Sequence, residues 1–346
     1  MLLTRDEAFR FLRECLKATG VRPDAAEPSA EQMVEADLRG HASHGLIRLP
    51  TLVQGVQKGI VNPDPRVRVL RDRPTGGLLD GDGGYGAYVG REAMRRAMAK
   101  ARETGVGVVG VRNAHYTGLL AYFGDMAAEA GLVAVVASGT PPMVHPWGGR
   151  SAVFGTSPLC VSLPGKGHPI VLDMATSQGA RGKLLNARKK GDSIPEGWAV
   201  DAEGNPTTDP GEALAGALSP FGGHKGSGLA FVLSLLTGPL VGVRPRTSFD
   251  PSVFPAGITD KGDFFLAFDP ELFGPLDRFV EEAERFSEAV RSSPRAPGFE
   301  EIRVPGDRAY RTRAERLRTG IPVADAVWED TRRLAEGLGL PGEIPR

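Results

Sequence analysis

The segment spanning residues 37–50 contains a histidine and an arginine whose types and spacing suit acid–base chemistry. Apolar residues recur at helical spacing beyond it, so we predict a helix over residues 44–58 with Ser43 as its N-cap. His44 and Arg48 are four residues apart and would lie on one face of that helix. An imidazole gives or takes a proton near neutral pH, and a guanidinium binds a carboxylate through two parallel hydrogen bonds. The pair favours a 2-oxo acid as ligand, although an exposed cap beside a solvated arginine explains this segment alone about as well.

The histidines of this region also allow a metal site. His41 and His44 are three residues apart, and His115 or His224 would have to join them in space. No His-Glu-x-x-His motif or carboxylate cluster accompanies them, so a metal enzyme is the less favoured interpretation. A non-catalytic scaffold is a third alternative, and the retained serine, histidine, arginine and lysine of the candidate site argue against it.

The composition is that of an ordinary globular chain. Its 346 residues are 41% apolar and 24% charged, and the formal net charge is zero with a pI near 7.0, which argues against nucleic acid or an anionic membrane as partner. The longest apolar run, 229–243, is too short to span a bilayer, and the N-terminus lacks the apolar core of a signal peptide. Two cysteines without a CxxC motif argue against a disulfide framework, so we expect a cytoplasmic protein. The excess of Arg over Lys, the scarcity of Asn and Gln and the many prolines fit a heat-adapted protein or a GC-rich genome.

Hydrophobic periodicity divides the chain into a helical module built from both termini and a central mixed α/β body. Thr4 with Glu7, and Ser29 with Gln32, form capping-box patterns that each lead into an amphipathic helix. Strand patterns cover residues 66–70, 77–80, 106–111, 132–138, 159–163, 170–172 and 264–268. Further helical patterns cover residues 87–103, 119–130, 226–236, 276–291 and 323–337. We therefore predict a mixed sheet flanked by helices in a body formed by residues 71–296, with residues 1–70 and 297–346 forming the helical module.

A Gly-x-Gly-x-x-Gly run at residues 81–86 follows a strand pattern and opens a helix, as in a dinucleotide-binding Rossmann unit. The next strand pattern ends in Arg112 and Asn113, where a Rossmann unit needs an acidic residue for the ribose hydroxyls. A tight turn with close packing is therefore the preferred interpretation of these glycines.

Several downstream runs end strands or open helices with small polar residues. They are Val-Arg-Asn-Ala-His-Tyr-Thr-Gly at 111–118, Gly-Thr-Ser-Pro at 155–158, Leu-Asp-Met-Ala-Thr-Ser at 172–177, Arg-Gly-Lys at 181–183 and Gly-Gly-His-Lys-Gly at 222–226. Together with Ser43, His44 and Arg48, and in this order, the set resembles the type 2 malate/L-lactate dehydrogenase family over nearly the whole chain. That family also includes sulfolactate, ureidoglycolate and diketogulonate oxidoreductases and cyclic-imine carboxylate reductases. The resemblance implies an NAD(P)-dependent oxidoreductase, usually a homodimer, with a non-Rossmann fold in which the body binds the cofactor and the helical module serves substrate and dimer contacts.

The resemblance also implies roles for individual positions. His44 would exchange the proton with the substrate, Ser43 would relay to it, Arg48 would hold the substrate carboxylate, and Thr156 would also meet substrate. The positions expected to contact NAD or NADP are Tyr116, Thr117, Gly118, Leu119, Leu120, Asp173, Met174, Ala175, Arg181, Gly182, His224, Lys225, Arg303, Pro305, Gly306, Asp307 and Arg308.

Physical reasoning on these positions leaves alternatives open. Lys225 at a helix start is a plausible anion site or a solvated cap, and Asp173 suits either a ribose hydroxyl or a turn cap. The choice between NAD and NADP stays open, with NAD slightly favoured. Arg112 and Arg181 could contact a 2′-phosphate, but neither is diagnostic.

The chain departs from the family pattern at three positions. Tyr116 stands where many members carry a second histidine, and Ser227 replaces a frequent tyrosine. Lys183 stands where the cyclic-imine reductases have an aspartate, which favours the hydroxy-acid branch over the imine branch. We predict a dehydrogenase of a 2-hydroxy acid, with malate and lactate as leading substrates and imine reduction as the alternative.

Overall fold

The computed structural model describes residues 1–244 and 261–345, so part of the predicted central body, residues 245–260, lies outside the described residues. The helices are α1 Arg5–Ala18, α2 Pro23–Leu38, α3 Leu49–Gln57, α4 Gly86–Thr104, α5 Ala121–Glu129, α6 Arg181–Lys190, α7 Pro210–Ala215, α8 His224–Thr237, α9 Leu276–Arg291, α10 Asp307–Thr319 and α11 Asp325–Gly337. The strands are β1 Leu2–Leu3, β2 Arg68–Arg73, β3 Gly76–Gly84, β4 Val106–Ala114, β5 Val133–Ser138, β6 Leu159–Leu163, β7 Ile170–Met174, β8 Ala199–Val200, β9 Pro206–Thr207, β10 Ala217–Leu218, β11 Gly262–Phe268 and β12 Ile321–Pro322.

In the described residues, the central sheet has seven strands in the order β2-β3-β4-β11-β5-β6-β7. Of these seven described strands, only β3 and β4 pair in parallel, and the other neighbours are antiparallel. β11 is inserted between β4 and β5 although it follows them by more than a hundred residues. The mixed sheet flanked by helices confirms the predicted fold class, and it differs from a Rossmann sheet, whose strands are parallel.

The glycine run at residues 81–86 serves close packing. A Cβ atom on Gly86 would lie 2.4 Å from the carbonyl oxygen of His115, and one on Gly84 would lie 2.6 Å from Cβ of Pro65. Because only glycine lets these backbones approach, the contacts favour the packing interpretation over a phosphate loop.

Buried apolar residues form separate clusters. One lies between the sheet and α4 and α5, and a second joins α1, α2 and α3 to β12 and α11. β1 pairs with β12, so the two ends of the described chain meet in one helical layer. A smaller cluster holds β8, β10, α6 and α7 together. The division at residues 70, 71, 296 and 297 stays a prediction.

Of the two predicted capping boxes, the first is confirmed and the second is wrong. The Thr4 hydroxyl accepts from the amide of Glu7, whose carboxylate accepts from the amide of Thr4. Ser29 and Gln32 lie inside α2, which begins with Pro23 at its first turn. The Ser29 hydroxyl donates to the carbonyl of Ala25 four residues back, a bond that satisfies it within the helix.

The predicted helix over residues 44–58 is confirmed only for Leu49–Gln57, and the predicted N-cap at Ser43 is wrong. Two 3-10 turns, Ala42–His44 and Leu46–Arg48, precede α3, which begins only at Leu49. Gly45 separates the two turns with φ −89° and ψ −145°, outside the helical region. The helix therefore starts five residues later than the apolar spacing predicts, with Pro50 in its first turn, where proline is tolerated.

In the described part of the chain, the helices are all too short or too polar to cross a bilayer. The cytoplasmic location and the heat adaptation stay predictions.

Candidate active site

The structure brings His44, Arg48 and Tyr116 together without the helix that the spacing predicts. The rings of His44 and Tyr116 stack with centroids 6.1 Å apart and 22° between their planes. The Arg48 guanidinium lies 5.3 Å from the centre of the Tyr116 ring. Ser43 joins them, because its Oγ is 2.9 Å from Nδ1 of His44 and its carbonyl accepts from Nε of Arg48 at 2.6 Å. The backbone of two tight turns thus places an imidazole and a guanidinium beside one aromatic ring.

The electrostatics of this group favour a neutral imidazole. Burial, followed by the charge of Arg48 and the nearby His41, lowers the pKa of His44 to about 3. In residues 1–244 and 261–345, no acidic side chain forms an ion pair with Arg48. A partly buried cation beside a neutral histidine can receive the carboxylate of a small ligand.

Tyr116 adds a buried hydroxyl to the group. Burial raises the pKa of this phenol to about 12. The oxygen lies near Arg48 but makes no well-formed hydrogen bond with any described residue. A buried polar atom without a well-formed bond is costly, so this hydroxyl is available to a bound molecule.

Strand β7 and the turn after it connect the remaining predicted positions. The amide and hydroxyl of Thr176 both donate to the carbonyl of Thr156, at 2.8 and 2.9 Å. The carbonyl of Thr176 accepts from the amide of Phe221, just before the Gly-Gly-His-Lys run. On the other side, the amide of Val171 donates to the carbonyl of Pro305 at 3.3 Å. Positions from three distant stretches of sequence therefore border β7 and the turn that follows it.

Asp173 links β7 to the loop that carries Tyr116. Its carboxylate accepts from the amide of Ala121 at 2.7 Å, at the first residue of α5. Burial raises the pKa of Asp173 to about 6. This contact caps the start of α5, and a bond from Asp173 to a ribose hydroxyl stays a prediction.

Two predicted cofactor positions lie at helix starts that lack both a side-chain cap and an acidic residue in the first turn. Arg181 opens α6 and His224 opens α8, with Lys225 next to it and exposed. Exposed first-turn amides and the helix dipole favour an anion at such a start. The donor set therefore fits the phosphates of a dinucleotide. In contrast, the first turn of α10 already carries Asp307, which pairs with Arg291 at 2.9 Å.

Other predicted positions have side chains that already contact other residues of the chain. Leu119 and Leu120 are buried in the sheet core, and Arg303 pairs with Glu301. The predicted loop over residues 303–308 ends early, because α10 begins at Asp307.

A buried polar group next to Tyr116 escaped the sequence analysis. Nζ of Lys261 lies 2.7 Å from both carboxylate oxygens of Asp263 and 2.5 Å from Oγ1 of Thr117. The Ser138 hydroxyl donates to the same carboxylate at 2.6 Å. The signal in the sequence is two charges flanking Gly262 at the start of an otherwise apolar strand.

Two of the positions that depart from the family pattern, Lys183 and Ser227, contact tryptophans. The Lys183 ammonium lies 5.2 Å from the centre of the Trp198 ring, and Oγ of Ser227 accepts from the amide of Trp147 at 3.0 Å.

The described residues contain no cluster of three or more His, Cys, Asp or Glu side chains able to hold a metal ion. His115, one of the candidate ligands, is buried, with Nε2 2.8 Å from the carbonyl oxygen of Ile60.

The chain is similar to known proteins over nearly its full length. A family model described as malate/L-lactate dehydrogenase matches residues 3–332. The chain is 39% identical to a malate dehydrogenase of Pyrococcus horikoshii over 350 residues, covering 98% of this chain and 96% of that protein. It is 37% identical to an L-sulfolactate dehydrogenase of Methanothermobacter thermautotrophicus over 344 residues, covering 99% of each. The solved sulfolactate dehydrogenase of Methanocaldococcus jannaschii superposes with a TM-score of 0.91 at 35% identity, covering 98% of both chains.

A match over nearly the full length, in sequence and in structure, identifies the family and with it a class of oxidoreductases acting on the CH–OH group of 2-hydroxy acids. This chain belongs to the malate/L-lactate dehydrogenase family.

Proposed function

We propose that this protein is an NAD(P)-dependent dehydrogenase that interconverts a 2-oxo acid and the corresponding 2-hydroxy acid. The observation that carries the proposal is the grouping of a neutral His44 and an Arg48 without an acidic partner in the described residues around Tyr116. Relatives named malate, L-sulfolactate and L-lactate dehydrogenase support the substrate class.

Each residue of the group has a distinct role. Arg48 binds the substrate carboxylate, and this fixes the neighbouring carbonyl or hydroxyl beside His44. In oxidation the neutral imidazole accepts the hydroxyl proton, and in reduction the imidazolium returns it. A bound nicotinamide supplies or accepts the hydride. Ser43 orients the imidazole through the contact at Nδ1.

Binding of the substrate would favour protonation of His44, the form needed for reduction. The charge of Arg48 contributes to the low pKa of His44 in the free protein. A carboxylate on Arg48 offsets that charge and raises the pKa of His44. Proton uptake is therefore coupled to substrate binding.

This electrostatic coupling predicts an unusual titration. In wild-type protein the His44 imidazole should remain neutral from pH 8 down to below pH 5, since its pKa is about 3. Replacing Arg48 by Gln should move the midpoint upward, because one of the charges opposing protonation is removed. The measurement is NMR of histidine-labelled protein, with the resonance assigned by its absence in His44→Gln. A wild-type midpoint near the ordinary value of about 6.5 would contradict the proposal.

The lowered pKa of His44 also makes the stability of the folded protein depend on pH. The unfolded chain binds a proton at His44 below about pH 6.5, whereas the folded chain does not until about pH 3. This histidine therefore lowers the free energy of unfolding as the pH falls below 6.5.

We propose that the cofactor lies along β7, with its phosphates at the starts of α6 and α8. Arg181, Lys225 and the first-turn amides would hold them. Arg112, one of the two arginines that could bind the 2′-phosphate of NADP, already forms an ion pair with Asp80 at 3.6 Å. This ion pair supports NAD over NADP.

Lys225→Ala should weaken NADH binding about tenfold, the order expected for one charge-assisted contact. Fluorescence titration of NADH measures the dissociation constant, and the weakening should shrink at high salt. Lys190→Ala is the matched control, because Lys190 is an exposed lysine at the C-terminal end of α6, opposite the helix start at Arg181. Equal dissociation constants for the two variants would remove Lys225 from the cofactor site.

We also propose a homodimer, in line with the family resemblance. One face of α8 and the turn after it expose Phe231, Val232, Leu235 and Leu240, which are 43–64% accessible. An apolar stripe of this kind marks an interaction surface. Sedimentation equilibrium tests the dimer.

The activity is tested by mixing the protein with NADH or NADPH and oxaloacetate, pyruvate, 3-sulfopyruvate or a cyclic imine carboxylate, with and without chelator. We expect loss of absorbance at 340 nm with at least one 2-oxo acid, unaffected by chelator. Turnover of the imine alone would favour the alternative reductase, loss of activity with chelator would favour a metal enzyme, and no turnover would favour a scaffold.

A further inference from the structure

The carboxylate of Asp37 lies directly beneath the turn that carries His44 and Arg48. Asp37 is in the last turn of α2 and is only 6% exposed. Its Oδ2 accepts from the amide of Leu46 at 2.8 Å, and Leu46 begins the 3-10 turn that ends at Arg48. The contact joins the end of one helix to the middle of the segment 42–48.

Burial of the Asp37 carboxylate costs free energy, and α2 provides no cation that would offset this cost. Among the described residues, no Lys or Arg forms an ion pair with this carboxylate. Arg316, the nearby cation, donates to the backbone carbonyl of Asp37 instead. Burial raises its pKa to about 7. Burying a carboxyl group without a cation is unfavourable, so its position calls for a function beyond stabilising α2.

Gly45 is fitted to the same carboxylate. A Cβ atom at Gly45 would lie 2.0 Å from Oδ1, 2.1 Å from Cγ and 2.2 Å from Oδ2 of Asp37. The φ of Gly45 is −89°, which other residues also adopt, so the backbone conformation alone does not require glycine. The requirement comes from the space that the Asp37 carboxylate fills.

We propose that Asp37 is a positioning residue that sets the separation of His44 and Arg48 by holding the Leu46 amide and filling the space beside Gly45. The inference rests on the proposed function of His44 and Arg48. Gly45 and Leu46 lie between those two residues in the chain, so a shift of this link moves the imidazole and the guanidinium relative to each other. Misplacement of reacting groups by about 1 Å costs on the order of 100-fold in rate.

Three single variants test the proposal. Asp37→Ala should lower kcat/KM for the 2-oxo acid about 100-fold while the dissociation constant of NADH stays within about threefold of wild type. Asp37→Asn keeps an acceptor oxygen of the same size and should restore most of the activity. Gly45→Ala should reproduce the loss, because its Cβ meets the carboxylate. Glu27→Ala, an exposed acid on the same helix, is the matched control.

A double-mutant cycle tests the contact itself. Adding Gly45→Ala to Asp37→Ala should cost far less than adding it to wild type, because the carboxylate no longer occupies the space. If Asp37→Ala does not fold, Asp37→Ser serves instead, since its shorter side chain also vacates the space. Equal costs of Gly45→Ala in both backgrounds, or full activity of Asp37→Ala, would overturn the proposal.

Amide hydrogen exchange of a peptide covering residues 42–48 separates this inference from the proposed function. Asp37→Ala should lose protection at Leu46, and Asp37→Asn should keep it. If Asp37→Ala loses the protection but keeps full activity, Asp37 holds the Leu46 amide without positioning the catalytic groups, and the proposal is overturned. If His44→Ala, assayed in parallel, retained activity, the proposed function would fail on its own measurement.

Discussion

His44→Ala should lower kcat about 10²- to 10⁴-fold while NADH still binds, because the variant loses the group that exchanges the proton with the substrate. The imidazole is held by Ser43 and stacks on Tyr116, so its replacement removes the only titratable base that we place at the reacting oxygen. Stopped-flow absorbance at 340 nm measures turnover, and fluorescence titration measures cofactor binding.

Ile47→Ala is the matched control for this experiment. Ile47 lies in the same pair of tight turns and is 48% exposed, so its truncation tests whether any change in the segment impairs the enzyme. We expect near wild-type turnover. A His44→Ala protein that turns over at the rate of Ile47→Ala would remove His44 from the mechanism.

Arg48→Lys should raise the KM for the 2-oxo acid about 10- to 100-fold, with little effect on the KM for NADH. Lysine keeps the positive charge but loses the planar pair of donors that matches a carboxylate. It also loses the Nε bond to the carbonyl of Ser43, which fixes the guanidinium. A charge-assisted hydrogen bond contributes about 1.5–3 kcal/mol, which corresponds to this change in affinity.

Steady-state kinetics with both substrates varied separate the two KM values. Arg332→Lys, on the exposed face of α11, controls for the exchange of arginine for lysine. Equal increases in both KM values would count against a carboxylate-binding role and would indicate a general distortion of the site.

Local periodicity was enough to predict most of the regular elements. The predicted bounds of β6 and α9 coincide with the structure, and those of β5, α4 and β11 differ by one or two residues at an end. These segments have a clear alternating or helical pattern over their whole length, so propensity and burial agree. Prediction was poor where a pattern ended: the start of α3, the interior of α2 and the opening of α10 were each misassigned.

The candidate site follows the same division. The residue types and their order in the chain pointed to the family, to acid–base chemistry and to carboxylate binding. The relative position of His44 and Arg48 did not follow from their spacing, because the segment forms two 3-10 turns around Gly45 instead of a helix.

What the sequence by itself determined is therefore the set of elements and the chemistry of the side chains. The tertiary structure decided which of them meet: Asp37 under Gly45, Asp173 at the start of α5, and β11 between β4 and β5. The physical reason is the distance along the chain over which each kind of interaction acts. Periodicity and capping depend on neighbours within a few residues, whereas these contacts need the whole chain to be packed before a buried carboxylate finds its one backbone amide or a late strand finds its register.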